Sequence, residues 1–433
     1  MSTSEAAAEV KAPPVPRVLP ALVAQGADEV VFLYGQRARM LEQSHVGLPD
    51  LARLDARLQA QLDGLRLAGV AAWAACDAHL AAQDAGAVFA LMVLALEADQ
   101  TEWAAHLLAL AEGRFAGAEA ALIAAYGWVS ADFLRGSVRR LLADDSALSR
   151  RIGLAACVAH RVDPGQALLR AVKDPDSQLR AAGLAWVATC GRVDLLPDCA
   201  AALSDADEGC RLAAATSIAS LAPTSDALKV LAELACTPGR TGDLALDALC
   251  RAAEPSVAQR VFQRLAREAP GEMRRLLRGV GVAGDPQYGP WLIRQMADPA
   301  WARVAGEAFA LMTGVDLERA GLAGPAAPGA AAGPTDDPAD EDVARDPDEG
   351  LPWPDAPQVA AWWQEKGGQF APGGRYFLGE PLSAGICRHA LAEGGLPKRR
   401  LAAAHLLGLA PGGVAFNCLA PAWRQQRWLK ALG

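Results

Sequence analysis

The alternation of apolar and polar positions predicts helices along most of the chain. In Leu48–Gly69, LPDLARLDARLQAQLDGLRLAG, the residues Leu51, Leu54, Leu58, Leu62 and Leu65 recur every three or four positions and share one helix face. Ala27–Leu41, ADEVVFLYGQRARML, carries the same spacing. Together they predict a helical hairpin, within an N-terminal cap over 17–84, that hides the apolar edge of the next helices. Residues 85–131 continue in the same style, with AVFALMVLALEA and then EWAAHLLALAEG.

From residue 144 the pattern copies itself. DDSALSRRIGLAACVA (144–159), DPDSQLRAAGLAWVA (174–188) and DADEGCRLAAATSIA (205–219) align without gaps. Asp144, Asp174 and Asp205 stand 30 and 31 residues apart, and each precedes an arginine by six positions: Arg150, Arg180 and Arg211. An apolar stripe follows each arginine, as in Leu179, Ala182, Ala185 and Trp186, and a short apolar segment precedes each aspartate. The unit is therefore helix, tight turn, helix. A fourth copy, DPAWARVAGEAFALMTG (298–314), shortens the spacing to five, and residues 228–284 keep the helical alternation without the Asp and Arg.

These units resemble HEAT repeats over roughly residues 85 to 314. The resemblance implies an α-solenoid over 85–320 in which turn aspartates and second-helix arginines bond within and between repeats, a ladder of Asp144, Arg150, Asp174, Arg180, Asp205 and Arg211. The residue chemistry agrees, because Asp, Pro and Ser suit a helix start, where free N–H groups and the positive dipole end favour them. Recurrence at every unit also marks Asp174 and Asp176 as structural rather than as a paired-carboxylate site.

Composition supports the all-α reading. Hydrophobic residues are 52% of the 433 but aromatics only 6%, so alanine and leucine supply most of the apolar content. Nine cysteines without a CxxC pair predict buried free thiols in a reducing cytoplasm and no zinc site. No stretch reaches the roughly 18 uncharged apolar residues of a membrane span. The opening MSTSEAAAEVKAPPVP (1–16) lacks an apolar signal segment and predicts a disordered tail in a soluble protein.

Charge divides the chain. Residues 351–433 hold nine Lys/Arg against four Asp/Glu, and the remaining 350 residues hold 32 against 46, within a net charge of -9. The acidic body argues against nucleic-acid binding along most of the length. Residues 321–350 combine Pro, Ala and Gly with eight carboxylates between Thr335 and Glu349, which predicts a linker. Beyond it, a small, mainly helical module (351–433) holds five of the eleven tryptophans. Its Trp362, Trp363, Arg375, Tyr376, Phe377, Arg399, Arg400, Trp423 and Arg424 are candidate partner-binding residues, since aromatics and arginines dominate interface hot spots and single-strand platforms.

Catalytic signals are weak. Gly279, Gly281 and Gly284 spell G-x-G-x-x-G, but the basic helix GEMRRLLR precedes them and Asp285-Pro286 follows, so they close a helix instead of cradling a nucleotide. Six scattered histidines make no metal or nucleophile pattern. No cofactor is called for.

The motif order LPDLARLDARLQAQLDGLRLAG, the repeat centre, AFALMTG, and LPWPD…WW…GGRYFLGEPL…RRLAA…FN…APAWRQQRW together resemble a family of proteobacterial HEAT-repeat proteins. Genes of that family commonly lie near type VI secretion genes, especially those for the spike protein and its cargo effectors. The resemblance implies a cytoplasmic accessory or adaptor for effector loading or assembly, with protein partners, and the residues themselves call for neither an enzyme nor a small-molecule ligand. Two other readings stay open. One is nucleic-acid binding through the basic, aromatic module. The other is a glycosylase or lyase of HEAT-like build, which for a glycosylase requires a basic groove.

Overall fold

The computed structural model describes residues 18–113, 115–327, 346 and 348–432. The predicted tail and most of the acidic linker lie outside the described residues. Among the described residues are 22 α-helices and one two-residue hairpin, Tyr376–Phe377 with Glu380–Pro381. The protein is all-α.

Three helices, α1 (Pro20–Met40), α2 (Leu48–Ala68) and α3 (Val70–Ala81), form the N-terminal end and pack on α4 (Ala85–Glu97). The leucine stripe of α2 is buried at each of the five anticipated positions. Every residue of α4 from Gly86 to Leu96 is buried, as an apolar surface all round a helix requires. Then come α5 (Thr101–Glu112), α6 (Ala118–Trp128), α7 (Ser137–Leu142), α8 (Ala147–Ala159), α9 (Gln166–Ala171), α10 (Ser177–Thr189), α11 (Leu196–Ala201) and α12 (Glu208–Leu221). The series ends with α13 (Ser225–Leu234), α14 (Arg240–Ala252), α15 (Pro255–Glu268), α16 (Met273–Ala283), α17 (Gly289–Gln295) and α18 (Ala302–Thr313). The even-numbered helices from α4 to α18 stack on one another in chain order, and from α5 onward each odd-numbered helix packs on the even-numbered helix after it.

The repeated turns have a local cause. Ser146, Asp176 and Asp207 each accept a hydrogen bond from the backbone N–H three residues on and so cap α8, α10 and α12. Asp144, Asp174 and Asp205 accept from the N–H two residues on, which folds the chain into that cap. Three residues after each arginine stands a small one: Gly153, Gly183 or Ala214. A Cβ on Gly183 would lie 3.0 Å from Ala171, so the first helix crosses directly over it. The buried face of α10 is Leu179, Gly183, Leu184, Val187 and Ala188. The expected stripe is thus corrected: Ala185 is exposed and Trp186 half-buried, because α10 buries two flanks between neighbouring units rather than a single line.

The rest of the chain does not stand apart. Gly324 N–H donates to Trp353 O and Asp355 N–H to Leu322 O, so the two ends of the acidic stretch are pinned side by side. The expectation of a separated module is corrected on this point. Helix α19 (Ala356–Lys366) packs on α17, α20 (Ala384–Glu393) on α21 (Leu396–Leu409), α21 on α12, and α22 (Ala422–Leu432) on α2. Leu396 N–H donates to Val46 O between α1 and α2, while Lys398 Nζ lies 3.9 Å from Glu307 of α18. The first and last helical groups therefore meet at the start of α21.

Candidate functional site

The ladder residues come together in a specific order. Arg150 donates to the carbonyl oxygens of Asp144 and Asp145 in its own turn, and to Asp174 Oδ2 of the next unit at 3.1 Å. Arg180 holds the carbonyls of Asp174 and Pro175 and grips Asp205 with two bonds of 2.8 and 3.0 Å. Arg211 holds the carbonyls of Asp205 and Ala206. Within a unit the arginine closes the turn; between units it reaches the next aspartate. The Arg180 guanidinium holds the Asp205 carboxyl below its usual range.

Two rungs escape the sequence pattern. In the region that loses the repeated Asp and Arg, Arg275 of α16 reaches back to Asp243 at 2.6 Å and to the carbonyls of Thr237 and Gly239. Arg303 of α18 grips Asp346 with bonds of 2.6 and 2.7 Å, and Asp346 Oδ1 accepts from Asp348 N–H. Asp346-Pro347-Asp348 repeats the letters of Asp174-Pro175-Asp176, and its carboxylates supply the last arginine with the partner that a further unit would have provided. Arg274 holds Asp348 beside it.

The candidate partner-binding residues are mostly turned inward. Arg375 donates to the carbonyls of Arg251 and Ala253 at the end of α14, and Tyr376 N–H to Gly284 O at the end of α16. Phe377 is 2% exposed. Leu378 and Gly379 N–H groups bond Leu311 and Met312 O near the end of α18. Arg424 donates to the carbonyls of Gly127, Trp128 and Val129 at the end of α6, and Ala415 N–H to Thr189 O at the end of α10. Arg399, fully buried, bonds Leu391 O and Gln425 Oε1. Arg400 donates to Leu41 O. Trp362 and Trp363 pack edge-on against Phe309, and exposed Trp423 against Trp128.

One physical rule explains this placement. The last carbonyls of each helix lack intrahelical partners and carry the negative dipole end. The C-terminal segment runs along those ends and meets them with guanidinium and backbone N–H donors. The repeated turns cap the starts of α8, α10 and α12, and α10 is held at both ends, by Asp176 at its start and by the Ala415 N–H at its end. Partner binding by Phe377, Arg399 and Arg424 in this form is corrected accordingly, since all three are buried. The nucleic-acid reading loses the same arginines. Burial, and then the nearby Arg427, push the Arg424 guanidinium down to about 10.

A buried ion pair fixes the N-terminal end. Arg37 Nε lies 2.7 Å from Asp55 Oδ1, and Asp55 Oδ2 accepts from Ala422 N–H. Arg37 also donates to the carbonyls of Leu419 and Ala420. Its sequence signal was Asp55 standing on the leucine face of α2.

One basic cluster remains open to solvent. A cleft of about 590 Å³ between α1 and α2 is lined by Arg39, His45, Arg53 and Arg57, among others, with Asp50 as its carboxylate. Arg53 and Arg57 are 76% and 63% exposed; Arg53 pairs with Asp50 and Arg57 lies 3.9 Å from Glu29. Arg39 has no ion-pair partner among the described residues. Composition gave no hint of it, since the surrounding chain is acidic.

All nine cysteines are free thiols, buried or half-buried, and burial pushes the Cys76 and Cys199 thiols up to about 12. Among the described residues, no group of three or more His, Cys, Asp or Glu side chains is placed to hold a metal ion, and no helix is long and apolar enough to cross a membrane. Gly284 ends α16 with φ of 65°, while a Cβ on Gly279 would meet Leu246 at 2.7 Å and one on Gly281 would meet Ala308 at 2.9 Å. The three glycines serve helix packing and a helix stop. Comparison with known family models, curated proteins and solved structures gives no match.

Proposed function

We propose that the protein is a non-enzymatic protein–protein interaction scaffold, acting as a cytoplasmic accessory or adaptor of a bacterial type VI secretion system in effector loading or assembly. The observation that carries the scaffold reading is the open arginine cleft. Most arginines of the C-terminal segment are engaged internally, whereas Arg39, Arg53 and Arg57 of α1 and α2 stand exposed around a cavity wide enough for a peptide segment. Clustered arginines suit carboxylates through paired N–H donors, so the partner presents an acidic segment. The secretion assignment is supported by the order of motifs along the chain. Affinity capture of the full chain from its own cells tests it. Recovery of spike or effector proteins with wild type, and loss of them with R39E/R53E/R57E, is the expected result; recovery of no secretion component under secreting conditions sinks the adaptor reading.

A further inference from the structure

A second cavity lies on the seam between α12, α14 and α21. It has a volume of about 190 Å³, room for about six waters, and is lined by Arg251, Arg375 and His405 together with alanine and leucine side chains, including Ala248 and Leu409. His405 is 5% exposed and packs on Phe377; its ring nitrogens make no hydrogen bond to another described residue and reach solvent in the cavity. The ring is thus free to bond whatever occupies the cavity.

The charges facing this cavity are unbalanced. Arg251 pairs with Asp247 at 3.1 Å. Arg375 has only carbonyl partners in contact, with Glu254 acting from further away. Burial, and then the two arginines, push the His405 imidazole down to about 3. The ring is therefore neutral at physiological pH and offers one N–H donor without adding charge.

We infer that this cavity binds a small organic monocarboxylate, its head held by Arg375, Arg251 and the His405 ring and its short apolar tail lying against Ala248 and Leu409. A guanidinium that lacks a carboxylate partner suits a single negative charge. The apolar wall disfavours a fully hydrated inorganic anion such as phosphate. Because Arg375 belongs to the C-terminal segment and Arg251 to α14, such a ligand ties the two together and stabilises the folded chain by mass action.

Titrating the full-length protein with sodium butyrate, against sodium chloride and sodium phosphate at equal ionic strength, tests this. Wild type should show a melting midpoint that climbs with butyrate concentration and a shift of the His405 ring signals in NMR. In Gly408→Leu, whose Cβ would make ordinary contact with Ser220 O at 3.7 Å and which places a bulky side chain on the cavity lining, butyrate binding should weaken about tenfold or more. His405→Phe, which keeps the packing on Phe377, should weaken it likewise. No butyrate-specific shift of the wild-type His405 signals, equal binding by Gly408→Leu, or a phosphate response larger than that to butyrate would overturn the assignment.

Discussion

Arg37 and Asp55 form a buried pair, 2.7 Å apart, that also receives the Ala422 N–H and binds the Leu419 and Ala420 carbonyls from the far end of the chain. The pair thus converts a contact between α1 and α2 into an anchor for α22. Asp55→Ala leaves a buried guanidinium and an amide without their acceptor. It should cost about 3–5 kcal/mol in urea unfolding; a loss below about 1 kcal/mol would mean that the anchor is not formed.

Arg180→Ala removes the closure of one turn and the grip on the next. The expected loss is about 1–3 kcal/mol at pH 7. The Asp205 carboxyl is lowered from its usual value of 3.8, so its contribution is present above that value and disappears as pH falls through the lowered one. The gap between wild type and variant should therefore narrow in acid, and a gap independent of pH counts against the ladder.

Glu307 behaves in the opposite sense. Burial raises its carboxyl from the usual 4.5, only partly opposed by Lys398. Its contribution is most favourable below 4.5 and is lost as pH rises through the raised value. Glu307→Gln should melt higher than wild type at pH 8 and match it below pH 4.5; a lower midpoint at pH 8 would show that the attraction to Lys398 outweighs burial.

Gly281→Ala places a methyl group 2.9 Å from Ala308 Cα, whereas the same change at Gly271 meets nothing within 4 Å. The first should cost about 1–3 kcal/mol and the second little. Equal stability of the two variants would reopen the question of why the glycines are there.

The helical text was legible because its causes are local. A 3.6-residue apolar period, capping residues and the six-residue Asp to Arg spacing each act within one unit, and α2, α10 and α12 follow from them. The C-terminal segment was legible in its helices and opaque in its placement. Trp362, Arg375 and Arg424 have the composition of an exposed hot spot, and the same residue types serve equally well to close helix ends. Only the fold brings Arg424 to Gly127, 297 positions away. Arg303 and Asp346 were hidden similarly, because the acidic stretch reads as a linker although its Asp-Pro-Asp repeats that of the second unit. The arginine cleft needed two helices to assemble Arg39 with Arg53 and Arg57.

The C-terminal segment braces the ends of the stacked helices. Hydrogen exchange resolved at the amides of Tyr376, Leu378, Leu396, Ala415 and Ala422 in the intact protein tests it most directly, because each donates to a group outside the segment. Protection comparable to that of α10 and α12 is the predicted result. Exchange at the rate of an open chain, with α10 and α12 still protected, would contradict it.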